Sequence, residues 1–520
     1  MKKNNEVEVK VRFAPSPTGN LHIGGLRTAF FNYLFAKKYA GKFILRIDDT
    51  DPGRSKKEYE NSILNDLKWF DLNWDEFYRQ SERAAVYEKY LDALKDKDLI
   101  YECFCTEKDL LKSKELAIKA KKPYIYSGRC RNLNDEEKAV LRKKLEEEDL
   151  SPSIRFNTVK SGISNIVFND LVHGNVSFNS RLTGDFILKT SGGRFTYNFA
   201  SIVDDIDLDI SHVIRGEDHI SNTPKQLILC KSFEKTPPVF AHISLLYGKD
   251  GKLMSKRDLN SNIDHYKNSG YLPEAVLNYL AITGNAFAVP RGGRFVQNED
   301  NGNLKKHAKA AEKEVFSSVS EMAKLFDIAK AKSSGAVFDE EKLRFINERH
   351  LKQISAKDLI DIMKEKFLAL SYLNALKKLE SYYKYEALLK IIGFLKNEYK
   401  TIKEIMEEIG VFYDDFTIRI MNGSSTGAGA GSGEVNAANI NYANYDEGIK
   451  TALRNAIEKE SALTEEMLKE TVKQTAERSG KNLKDVYETL RFFLTGKIDG
   501  PSIIKIALLL GKEKVIKRLG

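Results

Sequence analysis

The chain has 520 residues, of which 42% are hydrophobic and 30% are charged, with a formal net charge of +9 and a pI of about 8.9. The length predicts two to four domains, and the basic excess permits a nucleic-acid partner. No apolar run could span a bilayer, no secretory signal opens the chain, and the four cysteines form no disulfide framework, so we expect a cytoplasmic protein without a membrane partner.

The first hundred residues predict the beginning of a nucleotide-binding α/β domain. Apolar and charged residues alternate over residues 7–13, which indicates a half-buried strand, and a loop rich in proline and glycine follows at 14–19. A helical pattern begins at Leu26, and a second strand is predicted at residues 43–47. Strand, loop, helix and strand in this order are typical of Rossmann-like folds.

The composition of the chain changes between residues 101 and 195. This stretch holds three of the cysteines, a charged helix at 136–148 and short strands at 153–156 and 176–178. The α/β pattern then resumes over residues 196–247. We therefore predict a Rossmann-like domain, residues 1–100 and 196–247, that is split by an inserted module.

The rest of the chain is predicted to be mainly helical. Thr464 is placed to cap a helix that Gly480 ends, and Gly496 ends the next one. Residues 292–314 are polar and lack periodicity, and the stretch 422–444 begins with a glycine- and serine-rich run that predicts a flexible linker. The predicted fold class is α/β followed by an all-α region at 336–520.

Two short segments have the residues needed for phosphate chemistry. His22-Ile23-Gly24-Gly25 lies in the first strand–helix turn, where small residues let the backbone approach a phosphate. Residues 251–257, with the sequence GKLMSKR, combine a glycine, a hydroxyl and three cations that could close on a triphosphate. Each segment alone is weak evidence, since the first can be an ordinary turn and the second an exposed basic loop.

Together these segments resemble the two signatures of class I aminoacyl-tRNA synthetases. Their surroundings resemble the bacterial glutamyl-tRNA synthetases, in order and spacing, over roughly the first 285 residues. The matching stretches are RFAPSPTG at 12–19, LRIDDTD at 45–51, TYNF at 196–199, HVIRGEDH at 212–219 and NTP at 222–224.

The resemblance implies a Rossmann-like catalytic domain split by an acceptor-end-binding module, a stem-contact region at 248–335 with a KMSKS-like loop, and a helical anticodon-binding region. It also implies ligation of L-glutamate to tRNA-Glu with ATP and Mg²⁺, through a glutamyl adenylate, by a monomer. The sequence does not settle whether tRNA-Gln is charged as well, nor which residues read the anticodon.

The resemblance further implies a role for individual residues. Arg215 would grip the γ-carboxylate of glutamate, since its fork suits a carboxylate, although an ion pair with Asp204 or Asp205 is an alternative. The catalytic residues would be His22 and Lys256. Other glutamate contacts would be Arg12, Ala14, Ser16, Asp48 and Tyr197, and ATP contacts would be Gly24, Gly25, Asp218, His219, Ser255, Lys256 and Arg257. Asp48 occupies a position where the family usually has Glu. The related glutaminyl enzymes carry Asp there, so this residue makes the assignment of glutamate rather than glutamine less certain.

The cysteines of the inserted module resemble a zinc knuckle of the family. Cys103, Cys105 and Cys130 would supply three thiolates and Tyr126 a fourth ligand. The alternative is three reduced cysteines without a metal. Cys230 lies in an apolar helix and is predicted to belong to the core.

Four rival functions are weighed against this interpretation. A glutaminyl-tRNA synthetase would end in β-barrels rather than helices. A shortened relative that glutamylates a modified tRNA base would lack the anticodon region, for which this chain has over 170 residues. A tRNA-binding protein with a dead site would not need His22, Arg215 and Lys256 together. A nucleotidyltransferase of the same superfold would share only the loop around His22.

Overall fold

A computed structural model describes residues 8–254, 261–284, 286, 315–316, 318–367, 372–413, 417–419, 434–436 and 446–520. The chain forms two compact units, one made of residues 1–265 and 276–340 and the other of 266–275 and 341–520. Among the described residues, no helix combines the length and the apolar composition needed to cross a membrane.

A seven-stranded sheet organises the first unit. Its order is β3-β2-β1-β9-β10-β6-β7, and all neighbours pair in parallel except β6 and β7. The strands are β1 (Lys10–Phe13), β2 (Lys42–Ile47), β3 (Glu76–Arg79), β4 (Ile100–Cys103), β5 (Ser153–Phe156), β6 (Asn165–Asp170), β7 (Gly174–Asn179), β8 (Ile187–Lys189), β9 (His212–Gly216), β10 (Val239–Ile243), β11 (Leu246–Tyr247) and β12 (Ala336–Val337).

Helices connect these strands, as expected of a parallel sheet. They are α1 (Ile23–Lys38), α2 (Lys57–Trp69), α3 (Ala84–Asp96), α4 (Glu107–Lys119), α5 (Asp135–Glu146), α6 (Tyr197–Asp207), α7 (Thr223–Ser232), α8 (Ile263–Asn268), α9 (Pro273–Ile282) and α10 (Val319–Leu325). Their apolar faces bury a core that includes Ile44, Phe199, Val213 and Ile228. Cys230 is also fully buried in this core, as predicted.

The interrupting segment contributes to two different sheets. Strands β4, β5 and β8 form a separate antiparallel sheet. Strand β6, however, pairs with β10 through Asp170 and Phe240, and β7 pairs with β6. Part of the stretch 101–195 therefore completes the main sheet, a difference from the predicted boundary that matters for the site described below.

The second unit is helical. Its helices beyond α10 are α11 (Glu340–Gln353), α12 (Ala356–Lys366), α13 (Tyr372–Tyr382), α14 (Tyr385–Glu398), α15 (Ile402–Ile409), α16 (Glu447–Lys459), α17 (Glu465–Ser479), α18 (Leu483–Thr495), α19 (Ile503–Leu510) and α20 (Lys512–Leu519). Two short paired strands, β13 (Thr417–Arg419) and β14 (Glu434–Asn436), are also present. The all-α prediction for the carboxyl-terminal region is thus confirmed in its main feature.

The predicted helix ends of this unit are confirmed. The Thr464 hydroxyl accepts a hydrogen bond from the N–H of Met467 at the start of α17. Gly480 and Gly496 end α17 and α18 with φ angles of 65° and 68°, a left-handed conformation in which a side chain would be strained.

Several predicted features lie outside the described residues. These are Ser255, Lys256 and Arg257 of the second signature, the stretch 292–314, and the linker 422–444 apart from the residues of β14.

Candidate active site

A cavity of about 520 Å³ lies at the carboxyl edge of the main sheet. Strands β1, β9 and β10 are neighbours, so the residues that follow them meet at one edge, where ligands of such sheets bind. The predicted site residues that line this cavity are Arg12, Ala14, Ser16, His22, Gly24, Gly25, Tyr197, Arg215, Asp218 and His219.

The beginning of α1 forms one wall of the cavity. His22 is the residue before the helix, with extended backbone angles, and its Nδ1 accepts a hydrogen bond of 3.2 Å from the N–H of Gly25. A Cβ on Gly25 would lie 2.9 Å from Cδ1 of Leu21, so a larger residue here would require that leucine side chain to shift. The first backbone N–H groups of α1 and the helix dipole favour a negatively charged ligand here.

Arg12 is anchored by a buried acid beside the cavity. Its Nε and Nη2 donate to the two carboxylate oxygens of Asp205 at 3.0 and 3.3 Å. Asp205 also accepts from Nη1 of Arg46 at 2.8 Å. Burial acts to raise the pKa of Asp205, but Arg12 and Arg46 lower it overall, so Asp205 is charged.

Asp48 does not line the cavity. Asp48 is 5% exposed, and its carboxylate accepts two hydrogen bonds from Arg46, 2.7 Å from Nε and 3.3 Å from Nη2. Burial raises the pKa of Asp48 to about 6, although Arg46 opposes the shift. The predicted contact with the substrate ammonium therefore requires either a water bridge or an exchange of partners.

Arg215 stands at the cavity wall without a carboxylate partner. Its Nη2 donates to Thr223 Oγ1 and to Gln226 Oε1, both at 2.9 Å. The alternative ion pair with Asp204 or Asp205 is not formed, since those acids bind other arginines. Nη1 of Arg215 is buried with no hydrogen-bond partner, and burial lowers the pKa of this guanidinium. A buried cation of this kind favours an anionic ligand.

Tyr197 and the residues after β9 also line the cavity. The rings of Tyr197 and His219 lie 5.4 Å apart between centroids. His219 Nε2 is 3.7 Å from Oδ2 of Asp218. Burial lowers the pKa of His219 despite that neighbouring acid, so its imidazole is neutral near pH 7 and can stack on an aromatic ligand.

Sequence reasoning missed four buried residues around the site: Arg27, Arg46, Asp170 and His242. Arg27 is 1% exposed, lines the cavity, and donates to the Ser244 carbonyl at 2.7 Å. A polar residue inside an otherwise apolar strand or helix is the signal that could have found them, because a buried polar group needs a partner.

The predicted metal ligands come together. The sulfurs of Cys103, Cys105 and Cys130 all lie within 4.8 Å of one another, and Cys105 Sγ is 3.7 Å from Cys130 Sγ. Tyr126 Oη lies 3.4 Å from Cys103 Sγ and 3.5 Å from Cys105 Sγ. A tetrahedral zinc with bonds of about 2.3 Å to sulfur separates two sulfurs by about 3.8 Å, so this donor set fits zinc.

Residues 8–345 match the family model described as tRNA synthetases class I (E and Q), catalytic domain. The chain belongs to this family. Residues 368–520 of this class I synthetase match a second model, described as an anticodon binding domain.

Relatives match this synthetase over nearly its whole length. It is 36% identical over 523 residues to "Glutamate--tRNA ligase 1" of Caldicellulosiruptor saccharolyticus, covering 99% of this chain and 98% of the relative. It is 37% identical over 517 residues to "Glutamate--tRNA ligase" of Aquifex aeolicus, with 98% of each chain covered. A solved glutamate tRNA ligase of Elizabethkingia meningosepticum, in complex with its amino acid, superposes with a TM-score of 0.75 at 30% identity, covering 98% of each chain.

Three arginines of the helical region 336–520 contact other residues of the same chain. Arg344 forms an ion pair of 2.6 Å with Glu404, and Arg491 donates to the carbonyl of Pro501 at 2.7 Å. The guanidinium of Arg349 lies over the ring of Phe345, 5.2 Å from its centroid, and Phe492 is fully buried. Phe492 is therefore not placed to stack on a base.

Proposed function

We propose that this class I synthetase ligates L-glutamate to the 3′ end of tRNA-Glu through a glutamyl adenylate, with release of AMP and pyrophosphate. The observation that carries the proposal is Arg215, a buried guanidinium at the cavity wall whose hydrogen-bond partners are all neutral. A carboxylate side chain compensates this charge, whereas the neutral amide of glutamine does not. The relatives of similar length are glutamate--tRNA ligases, which agrees with glutamate as substrate.

On the amino-acid side, Arg215 binds the γ-carboxylate through Nη1. Tyr197, Ala14 and Ser16 line the same cavity and complete the amino-acid pocket. Arg12 is held at the cavity by its ion pair with Asp205. Asp48 reaches the ammonium group through water, since Arg46 already holds its carboxylate.

On the nucleotide side, the turn at His22, Gly24 and Gly25 holds the phosphates of ATP at the beginning of α1. Asp218 and His219 bind the nucleoside. The second signature, with Ser255, Lys256 and Arg257, holds the leaving pyrophosphate. When bound with ATP, Mg²⁺ supplies further neutralisation of the phosphate charge.

The chemistry needs little covalent work from the protein. The α-carboxylate of glutamate attacks the α-phosphorus of ATP, and the bond to pyrophosphate breaks. His22 and Lys256 stabilise the charge that develops on the phosphate oxygens. A hydroxyl of the terminal ribose of tRNA then attacks the carbonyl of the anhydride, and AMP leaves.

The cysteine cluster is proposed to hold zinc through Cys103, Cys105, Cys130 and the phenol of Tyr126. The N–H of Cys130 donates to Tyr126 Oη at 3.2 Å, which leaves an oxygen lone pair to face the sulfurs. Contacts from Cys105 and Cys130 lower the pKa of Cys103, whereas burial raises the pKa of Tyr126. Zinc would act as a structural cross-link between β4 and the loop before α5.

Charging assays with labelled glutamate on separately purified tRNA-Glu and tRNA-Gln test the proposal. An ester on tRNA-Glu alone supports it as stated, and an ester on both tRNAs makes the enzyme non-discriminating. No ester on either tRNA, with both shown to bind, contradicts it. A monomeric state and a cytosolic location stay predictions.

A further inference from the structure

Three buried residues form a row across adjacent strands behind the cavity. Asp170 ends β6, His242 lies in β10 and Arg215 lies in β9, and their exposed fractions are 1%, 0% and 5%. His242 and Arg215 occupy the same register position of neighbouring strands. His242 Nδ1 is 2.6 Å from Asp170 Oδ2, and Arg215 Nε is 3.1 Å from His242 Nε2.

The hydrogen-bond partners fix the tautomer of His242. A guanidinium nitrogen can only donate, so Nε2 of His242 must accept from Arg215. The ring proton is then on Nδ1, which donates to Asp170. Burial lowers the pKa of His242 even though Asp170 opposes the shift, which agrees with a neutral ring.

Asp170 is itself held firmly. Its Oδ1 accepts from the N–H groups of Val172 and His173 at 2.9 and 3.0 Å, and Oδ2 accepts from the N–H of His242 at 3.1 Å. Burial acts to raise the pKa of Asp170, but the hydrogen bond from the His242 ring and those from the N–H groups of His173 and Val172 lower it overall. The Nδ1–H group of His242 therefore donates to an acceptor that is charged and fixed in position.

The row leaves one nitrogen of Arg215 available to a ligand. Nε is bound by His242, and Nη2 is bound by Thr223, Gln226 and, at 3.4 Å, the carbonyl of His219. Nη1 has no partner among the described residues. Because His242 stands between Asp170 and Arg215, the acid orients the row without forming an ion pair that would neutralise the guanidinium.

We propose that Asp170 and His242 are positioning residues for substrate selection: they hold Arg215 so that Nη1 faces the side-chain carboxylate of the amino acid, with its charge uncompensated by the protein. This inference rests on the proposed role of Arg215. It also assigns a role in amino-acid selection to Asp170, a residue of the segment that interrupts the catalytic domain.

Steady-state charging of tRNA by the full-length enzyme tests the inference with three variants. His242→Leu removes the acceptor for Arg215, His242→Gln keeps an acceptor oxygen, and Asp170→Asn removes the charge behind the ring. The matched control is Ile166→Val, a conservative change of a buried residue in the same strand as Asp170. Glutamate, glutamine and ATP are each varied at saturating tRNA.

We expect His242→Leu to raise the KM for glutamate at least about tenfold, a loss of about 1.4 kcal/mol, with kcat and the KM for ATP within about twofold of the parent. Asp170→Asn also raises the KM for glutamate. His242→Gln keeps the KM for glutamate close to that of the parent. The preference for glutamate over glutamine falls in parallel.

An unchanged KM for glutamate in His242→Leu and Asp170→Asn overturns the inference. An equal rise in the KM for ATP also overturns it, because that result indicates general disturbance of the fold. If His242→Leu fails to fold, His242→Gln and Asp170→Asn decide the matter. A parent enzyme that does not use glutamate at all would instead contradict the proposed function.

Discussion

Asp48 and Arg46 form an ion pair inside the protein, with 2.7 Å between Oδ1 and Nε and both side chains almost completely shielded from solvent. Arg46 also contacts Asp205 and lies 3.5 Å from Asp204, which in turn binds Arg83 at 2.7 Å. This buried group of acids and arginines supports Arg12 at the cavity wall. Asp48 therefore has a structural partner, Arg46, independently of any contact that it makes with the substrate.

Replacing Arg46 with Met should destabilise the protein strongly. Three carboxylates would lose their shared partner, and breaking a buried pair from one side costs about 3–5 kcal/mol. Urea unfolding monitored by circular dichroism measures the change. The control is Arg54→Met, because Arg54 is 76% exposed in its ion pair with Asp51 and should contribute less than about 1 kcal/mol. Equal urea midpoints for Arg46→Met and Arg54→Met would contradict the prediction that the buried group stabilises the fold more than the exposed ion pair does.

Replacing Arg215 with Ala should lower kcat/KM for glutamate by at least about a hundredfold, since losing one side of a buried charge pair costs about 2–5 kcal/mol. Arg215→Lys should not restore activity, because an ammonium lacks the planar fork. Kinetics of tRNA charging measure both effects. Arg79→Lys, a change at a partly exposed ion pair, is the control and should resemble the parent. Full activity in Arg215→Ala would exclude Arg215 from substrate binding.

Protein purified without chelators should contain about one equivalent of zinc per chain by mass spectrometry of metals. Cys130→Ser should lose the metal, since it removes one of three clustered thiols. Cys230→Ala is the matched control, because Cys230 lies in the core among apolar residues and should leave the zinc content unchanged. Well under one equivalent in the parent protein would refute the zinc proposal.

His350 should make the protein sensitive to acid. Burial lowers its pKa from 6.5 to about 4, so as the pH falls the unfolded chain takes up the proton before the folded one does. The contribution to stability is complete above pH 6.5 and is lost between pH 6.5 and 4, by at most about 3 kcal/mol. Thermal unfolding of His350→Gln and the parent measures it: the variant should gain relative stability at pH 5 compared with pH 7.5. The same difference in unfolding temperature between variant and parent at pH 5 and at pH 7.5 would contradict this prediction.

Much of the fold was predictable because local signals agreed with tertiary structure. The strand at residues 153–156 and the helix ends at Thr464, Gly480 and Gly496 follow from alternation, capping and left-handed glycine conformations. The pairing of β6 with β10 was not predictable, because it joins residues about 70 positions apart through a single register pair. Periodicity indicates a strand but does not name its neighbour.

The candidate site, like the fold, could be predicted from the sequence only in part. Arg215 was identified from a motif, and ten predicted residues line one cavity. The partners of Arg215 could not be derived, because His242 and Asp170 come from two other strands and are brought together only by the order of the sheet. Asp48 was assigned to the substrate, but the sequence could not show that Arg46, two residues before it, occupies its carboxylate.

The most direct test of the account is ATP-dependent charging of unfractionated bacterial tRNA with labelled glutamate and, in a parallel reaction, with labelled glutamine. We expect acid-precipitable label from glutamate, dependent on ATP, and only background label from glutamine, because a neutral amide does not compensate the charge of Arg215. Charging with glutamine in preference to glutamate would contradict the central claim.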